Sequence, residues 1–257
     1  MRIAIVGGTG TLGKHIVSNL AERGHEVRVL SRGSQDFPVD LVSGSGLHAA
    51  LDGCAAVVDA SNASSAKRAE QVLVSGTRRL LTAEQRAGVG HHVCISIVGC
   101  DLVPFGYYRV KTEQEQAVER GPVPFSIVRA TQFHELASAA LAAAGKYRVL
   151  PVPRMCLQTV AAAEVASVVA DVSEGEPRGR VQVAGPEVAT ARDLARTWQT
   201  VTGRAALMLP LPVPGRIGRA LRSGALTADH ADVLGTTTFA DWLSAQQAFA
   251  GWPPTRV

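Results

Sequence analysis

The run Tyr107-Tyr108-Arg109-Val110-Lys111 sets a phenol and an ammonium four residues apart, a separation that brings both onto one face of a helix. The chemistry such a pair serves is proton transfer. A phenol of ordinary pKa, about 10, exchanges protons poorly at neutral pH, and a nearby cation favours its ionised form. Ser96 lies near the carboxyl end of the preceding apolar run, a candidate to hydrogen-bond a substrate carbonyl while Tyr107 polarises it.

A partner for that chemistry is written into the start of the chain. The run Arg2-Ile3-Ala4-Ile5-Val6 stops at Gly7-Gly8-Thr9-Gly10-Thr11-Leu12-Gly13, and the helix-compatible stretch 14–23 that follows is ended by Gly24. A buried strand thus delivers the chain to a turn in which Gly7 permits the reversal. Gly10 lets backbone N–H groups approach a pyrophosphate, and Gly13 lets the helix pack closely on the strand. The anion then sits at the helix N-terminus, where free N–H groups and the macrodipole favour negative charge. Gly7, Thr9, Gly10, Thr11, Leu12 and Gly13 are therefore assigned to a dinucleotide. Its nicotinamide cation would add to the pull of Lys111 on the Tyr107 phenol, and Lys111 could also hold the nicotinamide ribose.

An NAD-selective site places Asp or Glu at the end of the second strand. Here that strand ends Leu30-Ser31-Arg32-Gly33. A hydroxyl and a guanidinium with no carboxylate suit a 2′-phosphate, so NADP(H) is expected, with Ser31 and Arg32 as contacts. Ala60, Ser61 and Asn62 close a later strand and are expected to line the same cofactor, although small polar residues there also serve as ordinary turn formers.

The frame for these groups reads as strands 26–30, 39–42, 55–60, 92–98, 125–128 and 180–183 alternating with helices 47–51, 66–87, 107–120, 133–144 and 161–172. Such alternation requires right-handed crossovers and a parallel sheet covered on both faces, a Rossmann-like, doubly wound α/β fold. Helices 191–202, 216–223 and 239–248 are expected to close over the carboxyl ends of the strands. The chain of 257 residues, 46% hydrophobic, suits a single domain over 1–257, with 133–160 and 186–257 supplying a smaller substrate lobe.

Composition narrows the function classes. The formal charge of +4 is dispersed, with no run of Lys and Arg longer than two, so no nucleic-acid partner is expected. Cys54, Cys94, Cys100 and Cys156 have neither metal-ligand nor disulfide spacing, and no metal is expected. No apolar run approaches the about 20 residues of a spanning helix. Met1 leads straight into the first strand, so a cytoplasmic protein without a membrane partner is expected.

Together, Gly7-x-x-Gly10-x-x-Gly13, Ser31-Arg32, Ser96 and Tyr107-x-x-x-Lys111 resemble a short-chain dehydrogenase/reductase. The glycine spacing, Ile95-Ser96-Ile97-Val98-Gly99, Val128-Arg129-Ala130-Thr131-Gln132-Phe133 and Ala240-Asp241-Trp242-Leu243 are similar to its atypical, NmrA-like branch. The resemblance spans essentially the whole chain. It implies an NADP-binding core, with Thr131, Gln132 and Phe133 near the nicotinamide and a pocket between core and C-terminal lobe. His134, opening the next helix, and Gln158, preceding the return helix, are then candidate substrate contacts.

The expected activity is NADPH-dependent reduction of a ketone, quinone or enone, of the kind that tailors natural products, in a monomer or homodimer. The nicotinamide would give hydride, Tyr107 the proton, and Ser96 would orient the carbonyl. The same branch holds isomerases, and an isomerase, epimerase or cyclase that uses the cofactor without net turnover is the alternative. The branch also holds proteins that bind the dinucleotide as a redox sensor. Fold alone does not choose among them.

Overall fold

Ala4 and Ile5, like Val57 and Val58, are adjacent in sequence and all fully buried. Neighbours in a strand point to opposite faces, so layers must cover both sides of the sheet. The structure, a computed structural model describing residues 1–63, 66–103 and 105–249, provides them. Its elements begin β1 (Arg2–Val6), α1 (Thr11–Glu22), β2 (Glu26–Leu30), α2 (Leu47–Leu51), β3 (Ala56–Asp59) and α3 (Ala66–Ala69). A π-helical stretch (Glu70–Gly76) joins α3 to α4 (Thr77–Ala87), followed by β4 (His91–Ile97), α5 (Gly106–Glu119) and β5 (Phe125–Ala130). Then come α6 (His134–Gly145), β6 (Val149–Pro153), β7 (Cys156–Leu157), α7 (Ala162–Glu174), β8 (Gly179–Ala184) and β9 (Ala189–Thr190). The chain continues through α8 (Ala191–Thr202), β10 (Leu207–Leu211), α9 (Gly215–Arg222), β11 (Val233–Leu234) and α10 (Phe239–Phe249).

Seven strands form one parallel sheet in the order β11-β8-β5-β4-β3-β1-β2. Helices α1 and α7 cover one face over Ile3, Ile5, Val58 and Val93, while α2, α4 and α5 cover the other over Ala4, Val57, Cys94 and Ile127. A separate cluster gathers Leu150, Leu194, Phe239 and Leu243 around Trp198, joining β6, α8 and α10.

Residues 39–42 do not form the expected strand. The chain touches Ser31 through a bridge at Pro38, and the Val39 N–H donates to the Ser31 carbonyl at 3.0 Å. It then turns as the Asp40 carboxylate accepts the Val42 N–H at 2.9 Å. Proline and an Asx-type turn break the ladder, while Val39 and Leu41 still bury as a plug. The strand ending near Ala60 is therefore the third, not the fourth. The long helix expected over 66–87 is also interrupted by its π-helical stretch, which ends at Gly76, where a Cβ would lie 3.0 Å from the Leu41 side chain.

Two buried ion pairs tie the second helical layer to the sheet. The Arg129 Nε on β5 donates to Glu115 of α5 at 2.9 Å, and His92 Nδ1 on β4 donates to the fully buried Glu84 of α4 at 2.9 Å. Burial alone would push the His92 imidazole down. The Glu84 carboxylate, helped by the Cys94 thiol, outweighs it and raises His92 well above its ordinary value.

The folded protein therefore holds a proton on His92 that the unfolded chain gives up near pH 6.5, roughly the ordinary histidine value. This contribution to stability is complete below that pH and is lost as pH rises through the raised folded value. Removing the carboxylate in Glu84→Gln takes away the charge that holds the proton on the buried imidazole. Urea unfolding at pH 6 is expected to show a loss of about 3 kcal/mol, and the wild-type decline between neutral and alkaline pH should shrink in the variant.

Candidate functional site

Parallel strands end at one edge of a sheet, and the segments following β1, β2, β3 and β5 are the ones singled out by sequence. Since β2 lies on one side of β1 and β3 on the other, the crevice between β1 and β3 is the switch point at which open α/β sheets bind ligands. Gly7 sits there with φ +76, its N–H donating to the Leu30 carbonyl at 3.1 Å. A Cβ on Gly7 would lie 2.6 Å from the Ala60 carbonyl oxygen, and one on Gly13 would lie 2.2 Å from the Gly7 carbonyl oxygen. Turn, helix and third strand thus meet backbone to backbone. A Cβ on Gly10 meets only the Gly7 oxygen, at 3.2 Å.

Two observations fit a dinucleotide to this crevice. Helix α1 opens at Gly10 with no side chain capping it and no acidic residue in its first turn, so the N–H groups of Thr11, Leu12 and Gly13 are free to face an anion. The Ser61 hydroxyl, directly beyond β3, is buried with no hydrogen-bond partner among the described residues, a state that buried polar atoms rarely keep without a ligand or water. Arg32 is exposed beyond β2, while the Ser31 carbonyl holds Ser34 and Val39.

The Tyr107 hydroxyl donates to Asn62 Oδ1 at 2.8 Å, which brings the phenol to the end of β3. Its ring packs against Leu73, Val74 and Val110. Burial first, then the Asp59 charge, then Cys94, push the phenol up to about 12. The ammonium expected to lower it is turned elsewhere. Lys111, 3% exposed, donates to the Ile95 carbonyl at 2.6 Å and to Gln114 Oε1. Gln114 in turn donates to Asp59 at 3.1 Å, and Asp59 also accepts the Thr77 hydroxyl and the Ser61 N–H, both at 3.0 Å.

Sequence reasoning missed Asp59, Thr77 and Gln114. A signal existed for two of them. Tyr107, Lys111 and Gln114 fall at i, i+4 and i+7 on one helix face, and Asp59 is a lone carboxylate ending an apolar strand.

The other candidates have contacts of their own. The Ser96 hydroxyl is buried, with Cys100 Sγ 3.9 Å away, and Cys100 donates to Glu115 at 3.5 Å. Thr131 accepts the Gly185 N–H at 3.2 Å. Gln132 donates to the Leu226 carbonyl at 3.1 Å and accepts the Gln158 N–H at 3.4 Å. Phe133 forms a bridge with Val160 and packs on the core. Gln158 donates to the Gly185 carbonyl and accepts the Ala228 N–H, each at 2.9 Å. His134 is fully buried between Phe239 and Trp242, its Nε2 donating to the Thr237 carbonyl at 3.0 Å. Burial lowers its pKa. These side chains fasten the segments 185, 226–228 and 237 to the end of β5.

Among the described residues, no helix is long and apolar enough to cross a membrane, and no group of three or more His, Cys, Asp and Glu is placed to hold a metal ion.

Sheet order and glycine turn define a Rossmann-type α/β fold. A family model described as NAD(P)H-binding matches residues 7–175, and the chain belongs to that family. The NADPH-dependent quinone oxidoreductase QOR2 of Escherichia coli, solved with NADPH, is similar in structure with a TM-score of 0.80. Its identity is 20%, over 95% of this chain and 99% of that one. The UDP-glucose 4-epimerase of Thermus thermophilus, solved with NAD, superposes with a TM-score of 0.70 at 20% identity, over 99% and 94% of the two chains.

A putative dihydroflavonol 4-reductase of Synechocystis is 31% identical over 131 residues, which are 45% of this chain and 38% of the relative. The photosystem II assembly factor Ycf39 of the same organism is 35% identical over 111 residues, 38% of this chain and 34% of its own. The matches thus span well under half the length of these curated relatives.

The glycine geometry separates two effects that substitution usually mixes. Gly13→Ala drives a Cβ into the Gly7 backbone and is expected to lower both melting temperature and nucleotide affinity. Gly10→Ala faces little protein and should keep its melting temperature within a few degrees of wild type. Its affinity for NADPH, measured by titration calorimetry, should nevertheless fall by about tenfold or more, because the methyl occupies the approach to the pyrophosphate.

Proposed function

We propose that the protein is an NADPH-dependent reductase of a ketone, quinone or enone. The observation that carries this reading is the Tyr107 phenol fixed at 2.8 Å from Asn62, in the segment that borders the glycine turn. When bound, the nicotinamide supplies hydride to the carbonyl carbon or enone terminus. Tyr107 then gives its proton to the developing oxyanion or enolate, completing an alcohol, a hydroquinone or a saturated ketone.

The Thr11, Leu12 and Gly13 N–H groups receive the pyrophosphate, Ser61 offers its hydroxyl, and Arg32 pairs with the 2′-phosphate. Gln114 and the Ile95 carbonyl fix the Lys111 ammonium beneath the site, where it compensates the Asp59 carboxylate through Gln114. The likeness to a quinone oxidoreductase solved with NADPH and to a reductase over part of the chain supports this choice of chemistry.

A second reading has its own support. With the phenol at about 12 and Lys111 engaged by backbone and Gln114, the site is also built to bind the dinucleotide without turning it over.

Calorimetry with NADPH, NADP, NADH and NAD in one buffer is the first test. The 2′-phosphorylated pair should bind more tightly, and Arg32→Ala should weaken NADPH by about tenfold while leaving NADH unchanged. No binding of any nucleotide would sink both readings. For the chemistry, Tyr107→Phe is expected to lower kcat for quinone or enone reduction by about a hundredfold or more with NADPH affinity nearly unchanged.

A proton donor acts in its protonated form, so the rate should stay flat across neutral pH and fall only as pH rises toward the phenol's value of about 12. A fall centred near neutrality would assign the proton to another group. Unaltered cellular function in Tyr107→Phe would favour the binding-only reading.

A further inference from the structure

A cleft of about 430 Å³ is lined from both two-stranded sheets, β6-β10 and β7-β9. None of its lining residues belongs to the glycine turn, the phenol or the polar network beneath them. Arg154, Arg192 and Arg222 reach it from the β6–β7 connection, the first turn of α8 and the end of α9. Backbone contacts enforce that convergence. The Ala191 N–H donates to the Met155 carbonyl at 3.1 Å, and Cys156 pairs with Thr190 across β7 and β9. Cys156 Sγ in turn donates to the Arg222 carbonyl at 3.8 Å. Val152, Met155, Met208 and Pro210 give the cleft its apolar wall.

No acidic side chain lines this cleft. At other places where arginines gather, a carboxylate joins them. Arg2 and Arg28 both reach Glu26, at 2.6 and 3.8 Å, and Arg129 and Arg180 both reach Glu115, at 2.5 and 3.8 Å. A cleft lined by Arg78, Arg79 and Arg86 includes Asp52, and one lined by Arg78 and Arg120 includes Glu113. By contrast, Arg154 and Arg192 make no side-chain hydrogen bond or ion pair with another described residue, and Arg222 donates only to the Val213 carbonyl, at 3.2 Å. Asp193, beside Arg192 in sequence, is engaged by the Thr190 hydroxyl and by Arg196. Like charges gathered in a concave, partly apolar site focus a positive potential, and their mutual repulsion is relieved by an anion between them.

We propose that this cleft binds a small organic anion, an apolar body bearing a carboxylate or phosphate oxyanion. Guanidinium forks match either group, two N–H donors to two oxygens. Met155 and Met208 supply contacts that adapt to the shape of the apolar body. The volume is that of a small-molecule site and far exceeds what an inorganic ion fills. Because Arg154, Arg192 and Arg222 come from three separate segments, the bound anion also ties β7, α8 and α9 together.

The test is titration calorimetry of the full chain with 2-naphthoate, 2-naphthyl phosphate, neutral 2-naphthol and inorganic phosphate. At least one naphthyl anion should bind, the tighter of the two identifying the oxyanion, with naphthol and inorganic phosphate weaker by about tenfold or more. Arg154→Gln/Arg192→Gln should weaken the preferred anion by a similar factor while melting temperature and NADPH affinity hold, since neither guanidinium pairs within the described residues. Arg216→Gln/Arg219→Gln removes the same charge from α9 outside the cleft and should leave binding unchanged. No binding of either anion, naphthol or inorganic phosphate binding as tightly, or an equal loss in both double variants would each overturn the proposal. So would displacement of the anion by NADPH, which would put it in the glycine crevice. None of these readouts involves turnover, so the reductase reading stands or falls separately.

Discussion

The close approach of three backbones at Gly7 is the constraint on which the rest of the site depends. Because a Cβ on Gly13 would come within 2.2 Å of the Gly7 oxygen and one on Gly7 within 2.6 Å of the Ala60 oxygen, β1, α1 and β3 can meet only as glycine allows. That contact points the N-terminus of α1 into the crevice between β1 and β3. It also carries Ala60, Ser61 and Asn62 to the same edge, and Asn62 in turn holds Tyr107. A single steric condition therefore aligns the N-terminus of α1 with the phenol.

Beneath that edge lies a buried polar network that needs every member satisfied. Asp59, 1% exposed, accepts from Ser61, Thr77 and Gln114, and Gln114 accepts from Lys111. Carboxylate and ammonium share the interior through an amide rather than by direct contact, so the cost of burying each charge is offset without a short ion pair. The phenol is raised first by its burial and then by the Asp59 charge, while Lys111 is committed to the Ile95 carbonyl.

The region after β5 has a structural task of its own. The family resemblance marks Thr131 and Gln132, with His134 and Gln158 nearby, as site residues. In the structure each makes a hydrogen bond to backbone at Gly185, Leu226, Thr237 or Ala228. They fasten the later segments to the end of β5.

Periodicity and glycine spacing determined the parallel sheet, the helices that cover it and the turn at Gly7, because those depend on patterns within a few residues. The strand expected over 39–42 shows the limit. Its apolar residues did bury, but Pro38 and the Asp40 turn removed it from the ladder, and a plug and a strand have the same hydrophobic signature. The Tyr107–Lys111 spacing was legible as one helix face, yet whether the ammonium addresses the phenol or the β4 backbone depended on Asp59, Thr77 and Gln114. Those residues are brought together from 18 to 55 positions apart. Local sequence sets which side chains share a face. Only the tertiary packing decides which buried charges they must answer.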